Sequence, residues 1–283
     1  MTTITIIGCG LIGGSFAGLV KQHHPNTHIT GIGRQIDPLV DAVNHQLIDA
    51  YDTTLSPTVI SASDLVVIAS PISTVIPIIN QLTATIAKPL TIVEFSSVKS
   101  FLNDPSLLKS HHTIVPMHPM GGRDVQGLRH ADPSILANCP LIIFDPSPPY
   151  LSFFKSCSFV PIVCPSYAQH DEWMAHVSHG PYLLATLLPS LLSQSPPDYL
   201  DALRRISAGG FRDTTRVANS PVEWGLDIVQ GNQSALVSFL SDIEAQITTL
   251  KTVIQSGDST ALANHLKLAK QTRARIADSP TDI

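Results

Sequence analysis

The 283-residue chain is 43% apolar and 14% charged, with a formal net charge of -5, which excludes a disordered chain and a basic nucleic-acid-binding footprint. Its length suits one large or two medium domains, and its four cysteines, Cys9, Cys139, Cys157 and Cys164, show neither CxxC spacing nor a metal-site pattern. The expectation is a cytoplasmic protein with reduced thiols, no metal and no membrane partner, since glycines cut the N-terminal apolar run too early for a signal peptide and Leu183 to Leu192 is short and carries Pro189.

Ile4 to Ile7 predicts a strand, followed by the glycine turn Gly8-Cys9-Gly10-Leu11-Ile12-Gly13-Gly14-Ser15 and a helix from Leu11 to Gln22. In such a turn Gly8 permits the tight bend, Gly10 lets a pyrophosphate approach the backbone, and Gly13 lets the helix pack on its strand. The phosphates are expected at the helix N-terminus, contacted by Leu11 and Ile12. His28 to Ile32 alternates into a second strand and completes a βαβ unit. Where an acid usually accepts the ribose hydroxyl, the chain has Gly33 followed by Arg34, a pair suited to a 2′-phosphate, so NADP is expected to be preferred, with NAD possible as second cofactor.

Leu65 to Ala69 and Leu90 to Val93 predict buried strands around a helical segment from Ser73 to Ile86; Ser70, just past the first, joins the nucleotide-binding candidates. This alternation predicts a doubly wound parallel sheet. Ser97 and Lys99 follow the second strand at the end where such sheets present ligand-binding residues, though Ser97 also reads as a helix cap and Lys99 as a solvated charge. A strand from Thr113 to Val115 leads to Pro116-Met117-His118-Pro119, where the restrained His118 is the best candidate for a general base. Leu141 to Phe144 and Phe159 to Val163 predict the last strands.

From Pro165 onward the texture is helical, which places a domain boundary near Ser166, with a dinucleotide-binding domain over 1–166 and an all-helical substrate-binding and dimerisation domain over 167–283. Leu236, Leu240, Ile243, Ile247, Leu250 and Ile254 recur at spacings of four and three, one apolar face of a helix from Gln233 to Gln255. Asp258 and Ser259 can cap a final helix running to about Ile276.

Taken together, Gly10-Leu11-Ile12-Gly13-Gly14-Ser15, Ser97-Val98-Lys99, His118-Pro119-Met120-Gly121-Gly122 with Asp124 and Gly127, His170-Asp171, Ser178-His179-Gly180-Pro181-Tyr182, and Gly209 to Ala218 with Trp224 beyond resemble the prephenate and arogenate dehydrogenases of tyrosine biosynthesis. The resemblance covers nearly the whole chain. It implies an NAD(P)-dependent oxidative decarboxylation of a cyclohexadienyl alcohol in a homodimer, with His118 taking the proton of the ring hydroxyl and Ser97 holding the same hydroxyl or the nicotinamide side of His118. It further implies Arg216 as the substrate carboxylate anchor, His179 and Tyr182 as pocket residues and Trp224 at the pocket mouth. Tyr182 stands where the family usually has a second histidine. Two rival readings are a β-hydroxyacid dehydrogenase or ketopantoate reductase, disfavoured because the helical half has only the late Lys251, Lys267 and Lys270, and a non-catalytic nucleotide-sensing module.

Overall fold

Isoleucine and valine fill the inner strands because a parallel strand covered by helices on both faces has no polar side. The computed structural model describes residues 3–277, so the last six residues of the expected helical domain lie outside it. Its order begins β1 (Thr3–Ile7), α1 (Leu11–His23), β2 (His28–Ile32), α2 (Ile36–Asn44), β3 (Ala50–Asp52), α3 (Pro57–Ser61), β4 (Leu65–Ile68), α4 (Ile72–Thr85) and β5 (Thr91–Glu94). It continues with β6 (Thr113–Pro119), β7 (Pro140–Ile143), α5 (Leu151–Ser156) and β8 (Val160–Val163).

The strands form one sheet in the order β3-β2-β1-β4-β5-β6-β7-β8, so the chain reverses direction across the sheet between β1 and β4, where doubly wound sheets open a ligand crevice. Leu65, Val66, Val67 and Ile68 are completely buried, and Phe16, Phe95, Phe154 and Phe159 pack as an aromatic cluster over one face. Two features differ from the sequence reading. Strand β6 runs on through His118 to Pro119, and β7 pairs with it antiparallel, which makes the sheet mixed rather than wholly parallel. Strand β6 pairs with β5 up to Pro116 and with β7 from Met117 onward, so it changes partners where a proline lacks its N–H.

The helical half comprises α6 (Tyr167–Met174), a π-helical turn (Ala175–His179), α7 (Gly180–Ser190), α8 (Pro197–Ile206), α9 (Gly209–Thr215), α10 (Val222–Gly231), α11 (Gln233–Ser256) and α12 (Ser259–Ala277). By its contacts the chain divides into two compact units, one ending at Gln233 and one beginning at Ser234. The first of these helices fall in the first unit, because they are bonded into loops at the carboxyl end of the sheet. Asp171 accepts hydrogen bonds from the amides of Lys99 and Ser100, and Gly231 lies against Val98 with room for no large side chain. The second unit is the α11–α12 pair, on which Ile247, Ile254, Leu266, Leu268 and Ile276 are exposed. The Asp258 carboxylate caps α12 through the Ala261 amide at 2.9 Å. Among the described residues no helix is long and apolar enough to cross a membrane.

Candidate active site

The glycine turn has the geometry its sequence demands. Gly8 adopts φ +88°, and a Cβ there would lie 2.6 Å from the Ser70 nitrogen, so only a glycine lets the end of β1 approach the segment after β4 this closely. A Cβ on Gly13 would come within 2.5 Å of the Gly8 carbonyl, whereas one on Gly10 would meet nothing nearer than 4.0 Å. Gly10 therefore keeps an open face. The first intrahelical bond of α1 runs from Gly14 to the Gly10 carbonyl, which leaves the preceding amides of Leu11, Ile12 and Gly13 facing the crevice end of the helix. These features fit a dinucleotide pyrophosphate. The Ser70 hydroxyl is bonded to Thr74 at 2.8 Å, a Cβ on Gly33 would meet the Leu39 side chain first and at ordinary contact distance, and Arg34 is exposed.

At the carboxyl end of β5 and β6 lies a connected buried cluster. His118 Nδ1 is 2.9 Å from His170 Nε2, and His170 Nδ1 is 2.7 Å from Asp171 Oδ1. The Asp171 carboxylate accepts the Lys99 amide on one oxygen and the Ser100 amide on the other, both at 2.8 Å. Lys99 is completely buried, pairs closely with Glu94, and donates from Nζ to the Met117 carbonyl at 3.0 Å. Burial pulls the Lys99 pKa below the usual lysine value against the opposing pull of Glu94. Lys99 is thus no solvated charge. It is a structural cation that ties the loop after β5 to the backbone beside His118.

Burial, with the neighbouring His170 and Lys99, holds the His118 pKa well below the ordinary histidine value. His170 is lowered as well, chiefly by burial, while Asp171 opposes the shift. The Asp171 carboxyl is raised by burial but lowered further by its hydrogen bonds to His170, Ser100 and Lys99, so it stays ionised. His170 and Asp171 carried no role in the sequence reading. The sequence showed them only as a His-Asp pair within an expected helix and as one of the stretches that carry the family resemblance.

His179 is fully buried by the π-helical turn and shares Asn232 with the same cluster: Asn232 Nδ2 donates to the Asp171 carbonyl at 2.7 Å and approaches His179 Nδ1 at 3.1 Å. That donor fixes Nδ1 as an acceptor, so the neutral ring carries its proton on Nε2, a buried atom with no hydrogen-bond partner among the described residues. Burial pulls the His179 pKa down to about 4. Its ring meets Trp224 edge-on at 6.5 Å, and Trp224 meets Tyr182 edge-on at 5.1 Å. A Cβ on Gly225 would strike the Tyr182 hydroxyl at 2.3 Å, so this glycine makes room for the tyrosine.

The structure therefore links His118, His179, Tyr182 and Trp224 through adjoining contacts. Ser97 is half-buried in the loop that carries Lys99, and it caps no helix, since the following turn begins at Ser100 with Lys99 in the cap position. Arg216 is 61% exposed, at the start of a turn that packs on α7, and its nearest carboxylate is Asp124 at 3.8 Å rather than Asp213 or Glu223.

A family model described as the nucleotide-binding domain of prephenate dehydrogenase matches residues 16–147, and one described as its dimerization domain matches residues 166–268. Prephenate dehydrogenase of Bacillus subtilis (strain 168) is 28% identical over 281 residues, covering 96% of this chain and 75% of that protein. Cyclohexadienyl dehydrogenase of Zymomonas mobilis is 29% identical over 289 residues, covering 96% of this chain and 95% of that protein. Among solved structures, prephenate dehydrogenase from A. aeolicus in complex with hydroxyphenyl propionate and NAD+ superposes with a TM-score of 0.85 at 25% identity, over 98% of each chain. The arogenate dehydrogenase of Synechocystis shares the fold, with a TM-score of 0.77 at 24% identity over 97% of this chain and 99% of that one. With the first family model spanning His118 and the second spanning His170, His179 and Arg216, this chain belongs to the prephenate dehydrogenase family of oxidoreductases.

Proposed function

We propose that the protein catalyses the oxidative decarboxylation of prephenate to 4-hydroxyphenylpyruvate, or of arogenate to tyrosine, in tyrosine biosynthesis. The observation that carries this reading is the neutral, buried His118, bonded on one ring nitrogen and available on the other. When bound, the nicotinamide nucleotide supplies the hydride acceptor. His118 Nε2 takes the proton of the ring hydroxyl as the ring carbon is oxidised, and returns it to the phenol oxygen once carbon dioxide has left. Ser97 orients that hydroxyl or the nicotinamide side of His118. Arg216 holds a substrate carboxylate with its fork of donors, and the unspent Nε2–H of His179 offers a neutral donor beside Tyr182 and Trp224.

NADP is the preferred nucleotide in this reading. Its support is the exposed Arg34 beside Gly33, where an acid would repel the 2′-phosphate. Residues 1–166 hold the nucleotide and residues 167–283 the substrate and the subunit contact, a division supported by the limits of the two matching family models. The apolar residues exposed on α11 and α12 support a homodimer, and four buried free cysteines support a reducing, cytoplasmic setting. The test is an absorbance assay for reduced nucleotide with prephenate and with arogenate, each under NADP and NAD. The expected result is turnover with one or both substrates and a higher specificity constant with NADP. Silence in all four mixtures would overturn the function, and a higher constant with NAD would overturn the cofactor preference alone.

A further inference from the structure

We propose that His170 and Asp171 are positioning residues that hold the proton of His118 on Nδ1 and so reserve Nε2 as the lone pair that faces substrate. The proposal rests on the reading of His118 as the proton acceptor, and it extends the machinery to two residues on a different element.

The argument is a sequence of forced choices along the chain of contacts. An ionised carboxylate only accepts, so the 2.7 Å contact from Asp171 Oδ1 to His170 Nδ1 requires the proton on Nδ1. A neutral His170 then has a bare Nε2. The 2.9 Å contact between that atom and His118 Nδ1 needs one proton, which only His118 can provide. A neutral His118 is left bare on Nε2. Without His170 the two tautomers of His118 would compete, and the wrong one presents an N–H where a base is needed.

The anchor of this chain is firm. Both Asp171 oxygens are held by backbone amides, its carbonyl is held by Asn232, and the Met117 carbonyl next to His118 is held by Lys99. The titratable groups around the two imidazoles are Glu94 at the end of β5, Lys99 in the loop after it, Asp171 on α6 and His179 on the π-helical turn. When His118 takes the substrate proton, its Nδ1–H still donates to His170, whose ring is oriented by Asp171. No proton moves beyond His118. His170 acts through the ring it holds and touches no reacting atom.

Two substitutions separate the halves of the arrangement. His170→Gln places an amide oxygen near the former Nε2 and can still accept from His118, whereas His170→Asn reproduces only the Nδ1 end and cannot reach. We expect kcat to fall roughly 100-fold in His170→Asn and less than about tenfold in His170→Gln, with KM and nucleotide affinity near wild type in both. Equal kcat in the two variants, or the opposite order, would overturn the proposal. A second measurement needs no variant of His170: nitrogen-15 spectra of histidine-labelled wild-type protein, with the His118 signals assigned by their loss in His118→Asn. A pyrrole-type Nδ1 and a pyridine-type Nε2 at neutral pH are expected; the reverse tautomer overturns the proposal even if neither His170 variant folds. Failure here is distinct from failure of the parent reading, which would show as near-normal turnover in His118→Asn.

Discussion

His118 and Arg216 are both assigned to the substrate, yet the fold treats them in opposite ways. His118 is 8% exposed, with one nitrogen engaged by His170 and its strand pinned by Lys99. Arg216 has a side chain 61% exposed and only a distant carboxylate, Asp124 at 3.8 Å. The difference follows from what each group must do. A base must be neutral before substrate arrives, and burial favours the uncharged imidazole. A cationic anchor must stay charged, and leaving it in water defers its desolvation until an anion is there to meet it. In the proposed mechanism the group that moves a proton is finished in the fold, and the group that binds charge is completed by the ligand.

The comparison breaks most visibly at His118. His118→Asn should lower kcat by about 10²- to 10⁴-fold while nucleotide affinity stays near wild type, as steady-state rates and a fluorescence titration would show. The buried set also makes the protein sensitive to acid. With its folded pKa near 4 against an ordinary histidine value of 6.5, His179 binds a proton more readily in the unfolded chain. Its contribution is therefore complete above about pH 6.5 and is lost as pH falls toward 4, a change of roughly 3 kcal/mol at most. His118 and His170 act in the same direction. Denaturant unfolding across that range should show falling stability, and His179→Asn, which keeps an acceptor for Asn232, should flatten the slope.

At the exposed end the effects are smaller and appear in other constants. Arg216→Ala should lower kcat/KM by roughly ten- to a hundredfold, mainly through KM, the scale of one charge-assisted hydrogen-bonded contact. An unchanged KM would make Arg216 a surface residue only. Arg34→Ala should weaken NADP by about tenfold and leave NAD nearly untouched. Gly33→Asp should move the preference toward NAD, because a Cβ there meets Leu39 only at 3.5 Å and the new carboxylate has room. Paired titrations with the two nucleotides read both outcomes.

The local features were the legible ones. Alternation in His28–Ile32 matches β2, the four-three spacing matches α11, and the Asp258 cap matches the start of α12. The glycine turn was readable because Gly8 and Gly13 answer steric demands from the segment after β4 and from the turn itself, while Gly10 keeps an open face. What sequence hid was long-range. Pro116 and Pro119 read as an end to the strand, although the sheet uses Pro116 at a change of partner and pairs Pro119 with Leu141. His170 lies 52 residues from His118, and nothing in the local pattern joins them. For Lys99 the sequence left a ligand-binding residue and a solvated charge both open, because burial of a lysine depends on Glu94 and on a carbonyl from another strand. Tyr182 could be seen as a departure from the family pattern, but its complement, the bare Gly225, could not.

The contrast between a finished base and an open anchor is tested most directly by binding without turnover. Calorimetric titration of the nucleotide complex with hydroxyphenyl propionate, the ligand in the A. aeolicus structure, separates the two residues because no chemistry follows. The account predicts a Kd for His118→Asn within about fivefold of wild type and a Kd for Arg216→Ala weaker by about tenfold or more. Loss of binding in His118→Asn together with wild-type affinity in Arg216→Ala would contradict it.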